Sequence, residues 1–378
     1  MRIETLAVKT GMDPDGTSRA IAPPITLSTT FERGEDGSYP GGFDYSRSGN
    51  PNRAVLEAAL AALEGGREAV AFPSGMAATF SVIFSLSPGE HVVAADDAYY
   101  GTGVLLRDSF AERGIEASFV DMTDLDAVRS AMRPHTRLVW METPSNPLIR
   151  ISDIEAIAGI AREGGAISCC DNTWATPLLQ RPLDLGVDLV MHSTTKYFGG
   201  HSDVTGGAVI VREPGGTLEA LRKIQKDGGL VPSPFDAWLT RRGLESLAAR
   251  MAMHCANAME LARFLDAHPR VERVHYPGLR DDPGHALAAR QMSDFGGMLS
   301  FNVVGGRDEA FAVAAGVKVI ARATSLGGTH SLIEHRASVE GPTTRAPENL
   351  LRMSAGLEHI DDLKEDLDRA LAAAPADV

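Results

Sequence analysis

Through the middle of the chain, short apolar runs alternate with stretches of helical periodicity, and each run stops at a residue type able to do chemistry. Glu68–Phe72 leads into Ser74-Gly75-Met76, His91–Ala95 into Asp97 and Tyr99, and Arg137–Met141 into Thr143 and Asn146. Ala166–Cys170 leads into Asp171, and Asp188–Met191 into Ser193–Lys196. Strands separated by helices predict an α/β fold with a mostly parallel sheet. Ligands of such sheets bind in the crevice outside the carboxyl ends of the strands, so these scattered polar residues are expected to converge on one pocket. Between the first two runs, Arg53–Glu64 carries Leu56, Leu60 and Leu63 at helical spacing and stops at Gly65-Gly66, a core-packing helix with a glycine stop.

Residues 1–49 are rich in glycine, proline and polar side chains and read as an arm that needs another surface to lie on. From Phe235 a long helical pattern through Leu239, Leu244, Leu247, Met251 and Met259 leads to shorter strands that include Met298–Val303 and Leu350–Met353. The expected division is therefore an arm (1–49), a large domain (50–250) and a smaller α+β carboxyl-terminal domain (251–378), with only the tail beyond Leu371 free to fray.

Composition narrows the function. The 378 residues carry a formal charge of −14 and no basic run, which excludes a phosphate-tracking nucleic-acid surface and favours a small metabolite. The three cysteines, Cys169, Cys170 and Cys255, have no metal-ligand spacing and read as buried thiols of a reducing compartment, with no metal expected. Met1–Gly11 holds charges rather than a long apolar stretch, and no apolar segment approaches a membrane span, so a cytoplasmic protein is expected.

The sharpest chemical signal is Lys196, which closes the run His192-Ser193-Thr194-Thr195-Lys196 downstream of Asp171. A lysine that forms an imine with an aldehyde cofactor, paired with a carboxylate that keeps the cofactor's ring nitrogen protonated, fits a pyridoxal-phosphate enzyme. On these two residues alone a surface lysine and a strand-end aspartate fit equally. Gly75 and Met76 open a helix whose free N–H groups suit a phosphate, and Ser193 and Thr195 offer hydroxyls to the same phosphate. Tyr99 is placed to stack on the ring and act as a general acid, although a boundary tyrosine fits as well and Tyr100 stands beside it. Arg352, after the apolar pair Leu350-Leu351, reads as a bidentate partner for a substrate α-carboxylate, the alternative being an edge-strand arginine in solvent.

A longer set of motifs resembles the transsulfuration enzymes of cysteine and methionine metabolism. The resemblance runs through Ser28-Thr29-Thr30-Phe31, Tyr45-Ser46-Arg47-Ser48-Gly49-Asn50-Pro51, Ser74-Gly75-Met76-Ala77-Ala78 and Glu142-Thr143-Pro144-Ser145-Asn146-Pro147, in order along nearly the whole chain. It continues through Asp171-Asn172-Thr173-Trp174-Ala175-Thr176-Pro177, the Lys196 run on to Asp203, and Ser325-Leu326-Gly327-Gly328. The resemblance implies fold type I and pyridoxal 5'-phosphate as cofactor. It makes Lys196 the lysine that bonds the cofactor and Asp171 the partner of the ring nitrogen. Gly75, Met76, Ser193 and Thr195 would hold the phosphate, with Tyr99 above the ring and Thr173 beneath it. It further implies a homotetramer of two active dimers, in which Tyr45 and Arg47 reach the neighbouring subunit's phosphate, while Asn146, Ser325 and Arg352 lie near the substrate.

The implied activity is γ-elimination from a sulfur amino acid, with cystathionine γ-lyase first and cystathionine γ-synthase as the alternative, ahead of methionine γ-lyase, cystathionine β-lyase and O-acyl-homoserine sulfhydrylase. Thr324 stands where cystathionine-handling members often carry glutamate, His330 where many relatives carry another, and Ala337–Pro342 replaces a usual methionine-threonine-histidine stretch. His330 and Glu340 are expected to be solvated loop residues. Ser193-Thr194-Thr195-Lys196 also fits the nucleophile pattern of penicillin-binding serine enzymes, but the partner motif Lys9-Thr10-Gly11 falls in the wrong order and no Ser-Asp-Asn is present. A non-catalytic pyridoxal-phosphate-binding protein on the same fold stays open, because a fold does not dictate an activity.

Overall fold

Small and β-branched side chains fill the central strands because helices cover both faces of the sheet they form. The protein, seen in a computed structural model, is described over residues 1–12, 19–340 and 344–375. Seven strands make the first sheet: β1 (Glu68–Phe72), β2 (His91–Ala95), β3 (Glu116–Val120), β4 (Thr136–Glu142), β5 (Ile167–Asp171), β6 (Leu189–His192) and β7 (Gly207–Val211). Their order is β1-β7-β6-β5-β4-β2-β3, and all neighbours are parallel except β7, which runs antiparallel to both β1 and β6. The mostly parallel α/β architecture expected from the apolar runs is therefore present. Strand ends moved by one residue at most; Asp171, for example, is the last residue of β5 rather than the first beyond it.

Two strands were not anticipated. β3 is a half-exposed edge strand with little apolar signal, and β7 is wedged between two strands distant in sequence. The helix expected at Arg53–Glu64 begins at Pro51, where the Asn50 side chain caps it by accepting N–H bonds from Asn52 (2.9 Å) and Arg53 (3.3 Å). Leu56, Leu60 and Leu63 are buried as the spacing required.

The second sheet follows the order β10-β11-β12-β9-β8, built from β8 (Val271–His275), β9 (Met298–Val303), β10 (Ala321–Arg322), β11 (Leu332–His335) and β12 (Leu350–Ser354). The long helical pattern from Phe235 is in fact two helices, Pro234–Glu245 and Leu247–Asp266, interrupted at Ser246. The boundary expected between residues 250 and 251 consequently falls inside a helix. Leu247, Met251 and Cys255 pack into the core beneath the large sheet, whereas Ala258, Leu261 and Leu265 belong to the core of the small one. We propose that the division into two domains lies within this helix, after Cys255.

The amino-terminal arm also differs from its expectation at its start. Ile3–Lys9 is helical with Ala7 buried, and Arg241 donates to the carbonyls of Thr10 (2.6 Å) and Val8 (3.2 Å). The first ten residues are thus tied to their own chain. From residue 19 onward the arm is irregular and holds Ile21, Leu27 and Tyr45 in solvent. At the other end the helix Ile360–Ala373 runs past Leu371, and residues 376–378 of the tail lie outside the described ones.

Candidate active site

The carboxyl ends of β4, β5 and β6 open into a cavity of about 390 Å³, a size usual for small-molecule sites. Its lining includes Gly75, Met76, Tyr99, Asn146, Asp171, Thr173, Ser193, Thr195, Lys196, Ser325 and Arg352. Eleven residues from both sheets, spread over most of the sequence, are brought together here as the parallel-sheet rule required.

Lys196 Nζ donates to Ser325 Oγ at 2.8 Å. Burial, aided by the nearby Arg352 charge, pulls the lysine down from 10.5 to about 8, so a neutral amine is available near physiological pH. Ser325 itself sits at φ 89°, a left-handed conformation that side chains rarely adopt, and its carbonyl accepts from Arg352 Nη2 at 3.3 Å.

Asp171 ends β5 directly opposite Glu142, which ends β4, so two buried carboxyls face each other across the floor of the cavity. Burial raises both; Glu142, further opposed by the Asp171 charge, is pushed well above the usual carboxylate range. Asp171 is raised less, its carboxylate supported by the Thr173 N–H, which donates to its Oδ1 at 3.0 Å. The Thr173 hydroxyl accepts the Ser193 N–H at 2.9 Å and so couples the β5 and β6 loops.

The helix Gly75–Phe84 points its first turn at the cavity. Ser74 caps it by accepting the Ala77 N–H at 3.0 Å, while Gly75 and Met76 line the cavity with the backbone donors that a helix start leaves open. Gly75 is a packing requirement: a Cβ there would stand 2.8 Å from Ser193 Cβ. Tyr99 precedes the short helix Tyr100–Val104, and its N–H donates to Glu142 Oε2 at 2.6 Å. A Cβ at Gly101 would meet the Tyr99 ring at 2.6 Å and Met76 Sδ at 2.8 Å, so that glycine gives the ring its seat.

Arg352 lies in β12 and is buried, not solvated at an edge. It donates to Asn146 Oδ1 at 2.8 Å, pairs with Glu334 on the facing β11 position, and stands 5.6 Å from the Trp174 ring. Burial pulls it down to about 10, which leaves it charged at neutral pH.

Some expectations are modified. Thr195 lines the cavity, but its hydroxyl is engaged with the backbone of Gly206, donating at 3.1 Å and accepting at 3.0 Å. Tyr45 and Arg47 stand outside the cavity of their own chain, Tyr45 exposed and Arg47 donating to the Lys226 carbonyl at 3.3 Å. His330 is exposed as expected, yet Glu340 is not a solvated loop residue: it is buried and lines the cavity together with Arg336. Gly341 and Pro342 of the same stretch lie outside the described residues. Sequence reasoning also passed over Glu142, Trp174 and Arg336; the first two had a signal, since they sit inside motifs already singled out, whereas Arg336 had none.

The three buried cysteines are unpaired, and burial pushes all their thiols up, that of Cys255 to about 12. Among the described residues no helix is long and apolar enough to cross a membrane.

Comparison with known proteins agrees with this geometry. The sequence model of the family described as Cys/Met metabolism PLP-dependent enzyme matches residues 4–372. The chain is 48% identical over 373 residues to a cystathionine gamma-synthase of Mycobacterium tuberculosis, covering 97% of this chain and 96% of the relative. It is 44% identical over 380 residues to the cystathionine gamma-lyase of Homo sapiens, covering 98% and 93%. The crystal structure of cystathionine gamma synthase from Xanthomonas oryzae pv. oryzae in complex with cystathionine superposes with a TM-score of 0.95 at 42% identity, over 98% of both chains.

The residues present fit pyridoxal phosphate, the cofactor of that family. A helix start with open donors, packed so closely on Ser193 that only glycine fits, suits the phosphate. A buried carboxylate on the floor suits a protonated ring nitrogen, and a lysine of lowered basicity suits an aldehyde.

Proposed function

We propose that this chain, which belongs to the family of Cys/Met metabolism PLP-dependent enzymes, catalyses γ-replacement: the thiol of cysteine displaces the acyloxy group of an O-acyl-homoserine to give cystathionine. This is the reaction of a cystathionine γ-synthase. The expectation from sequence had put γ-elimination first. What carries the revised order is the likeness to relatives named gamma-synthase, at 48% identity across almost the full length. The 44% identity to the human gamma-lyase keeps elimination from cystathionine as the second reading.

Bound pyridoxal phosphate supplies an electron sink that stabilises negative charge on the substrate. In the proposed mechanism Lys196 is the residue that would hold the cofactor and takes the proton from substrate Cα; its lowered basicity brings the neutral amine within reach near pH 8, and its bond from Nζ to Ser325 Oγ aims it. Asp171, held by Thr173, would pair with the ring nitrogen, while Glu142, pushed toward its protonated form, fixes Tyr99 through its backbone N–H. The Tyr99 phenol is the proton donor to the departing γ-group. Arg352 and Asn146 hold the α-carboxylate, with Gly75, Met76 and Ser193 on the phosphate. The assembly proposed is a cytoplasmic homotetramer, in which Tyr45 and Arg47 complete a neighbouring copy's phosphate site.

Product analysis of the cofactor-loaded protein by mass spectrometry tests the choice, with Lys196→Ala as the blank. Cystathionine from O-succinyl-L-homoserine and L-cysteine is the expected product. Faster formation of cysteine and 2-oxobutyrate from cystathionine moves the assignment to γ-lyase, and homocysteine with pyruvate moves it to β-lyase.

A further inference from the structure

The β11 strand and the short helix that follows it build a charged wall on the active-site cavity. From Arg352 a chain of alternating charges runs outward: Arg352 and Arg336 share Glu334 Oε1, the latter at 3.1 Å, and Arg336 Nε donates to Glu340 Oε1 at 2.6 Å. Thr344 Oγ1 closes the series by donating to Glu340 Oε2 at 2.7 Å. Arg336 and Glu340 are 4% and 6% exposed, yet both line the cavity, whereas Glu334 stands behind them. Glu340 ends the short helix Ala337–Glu340, whose Val339 also lines the cavity and is 47% exposed. The pair therefore sits between the α-carboxylate site at Arg352 and the mouth.

Burying two ions in a cavity wall costs free energy unless each is fully engaged. A guanidinium has five N–H donors and a carboxylate about four acceptor positions, so the bonds described leave capacity on both. Meanwhile neither the cavity-lining Thr324 nor the exposed His330 can receive an ammonium as a carboxylate does. Among the described cavity-lining residues, Glu142 and Asp171 are on the floor, which leaves Glu340 as the carboxylate of the outer wall.

We propose that the Arg336–Glu340 pair is the subsite for the entering thiol, and that it selects an amino-acid thiol by taking its carboxylate on Arg336 and its ammonium on Glu340. This rests on the γ-replacement reading and assigns the side chains that recognise its second substrate. A thiol lacking either charged group forfeits the matching contact, and hydrosulfide forfeits both.

The test is steady-state replacement on O-succinyl-L-homoserine with four thiols: L-cysteine, cysteamine, 3-mercaptopropionate and hydrosulfide. In Glu340→Gln the KM for L-cysteine and cysteamine should rise about tenfold or more, as loss of a charged hydrogen bond predicts. The values for 3-mercaptopropionate and hydrosulfide should stay within about twofold in the same protein, which also serves as the folding control. Arg336→Gln should weaken L-cysteine and 3-mercaptopropionate instead, and Glu340→Asp should recover part of the cysteamine affinity. Equal losses for all four thiols, or none, would reduce the pair to a structural salt bridge and overturn the inference alone. No replacement by the wild type with any thiol would overturn the γ-replacement reading and this inference with it.

Discussion

The Lys196 amine is lowered in basicity because of where it is buried, and that makes its behaviour testable by pH. Its pKa falls from 10.5 to about 8, so the ammonium form dominates below that pH and the reactive amine above it. The rate at which cofactor-free protein captures pyridoxal phosphate should therefore climb about tenfold per pH unit at lower pH and level off above pH 8, as followed by stopped-flow absorbance. A profile still climbing at pH 10 would show an unperturbed lysine. Glu142 gives a second test. Burial and the Asp171 charge push it toward the protonated form, so Glu142→Gln should keep the bond from the Tyr99 N–H and cost under about 1 kcal/mol in urea denaturation, while Glu142→Leu should cost about 1–3 kcal/mol by stranding that donor. Equal costs for the two would mean that Glu142 is ionised. Lys196 and Asp171 were legible from residue type and position; Glu142 opens a motif that the sequence shows, but nothing in that motif tells that it faces Asp171.

At the scale of elements, the site depends on how closely the helix Gly75–Phe84 meets the β6 loop. In Gly75→Ala the new Cβ meets Ser193 at 2.8 Å and backbone Cα at 3.1 Å, so helix and loop must part. Affinity for pyridoxal phosphate, measured by equilibrium absorbance titration, should fall by about tenfold or more, in line with the loss of one charged hydrogen bond. Ser74→Ala removes only the cap and should cost about 1 kcal/mol of stability, with a smaller effect on the cofactor. If the two variants bind equally well, the close approach is not what shapes the phosphate site. The central strands and the helix Pro51–Glu64 were readable because their periodicity is local. β3 escaped because an edge strand buries little, and the break at Ser246 escaped because two consecutive helices can share one apolar stripe.

For the whole molecule, the decisive feature is an arm whose first turn is bound to its own chain while residues 19–49 carry Tyr45 and Arg47 away from their own cavity. If each site borrows these residues from a neighbour, Arg47→Ala and Lys196→Ala proteins should each be inactive at limiting cofactor. Mixed one to one with subunit exchange, they should recover about a quarter of wild-type activity, since half of the dimers are then hybrid and one of the two sites in each is intact. No recovery, with hybrids verified by native mass spectrometry, would place Arg47 outside the site. By itself the sequence determined the α/β class, the positions of the principal strands, the helix start at Gly75 and Lys196 and Asp171 as candidates for one site. These rest on periodicity, on turn residues and on groups whose reactivity follows from their type. Only the tertiary structure decided that Glu142 faces Asp171, that Thr195 is spent on Gly206, that one helix serves two cores, and that Arg336 and Glu340 form a wall of the cavity. Those facts depend on which distant strands become neighbours and on how deeply a charge is desolvated, and neither quantity exists until the chain has closed on itself.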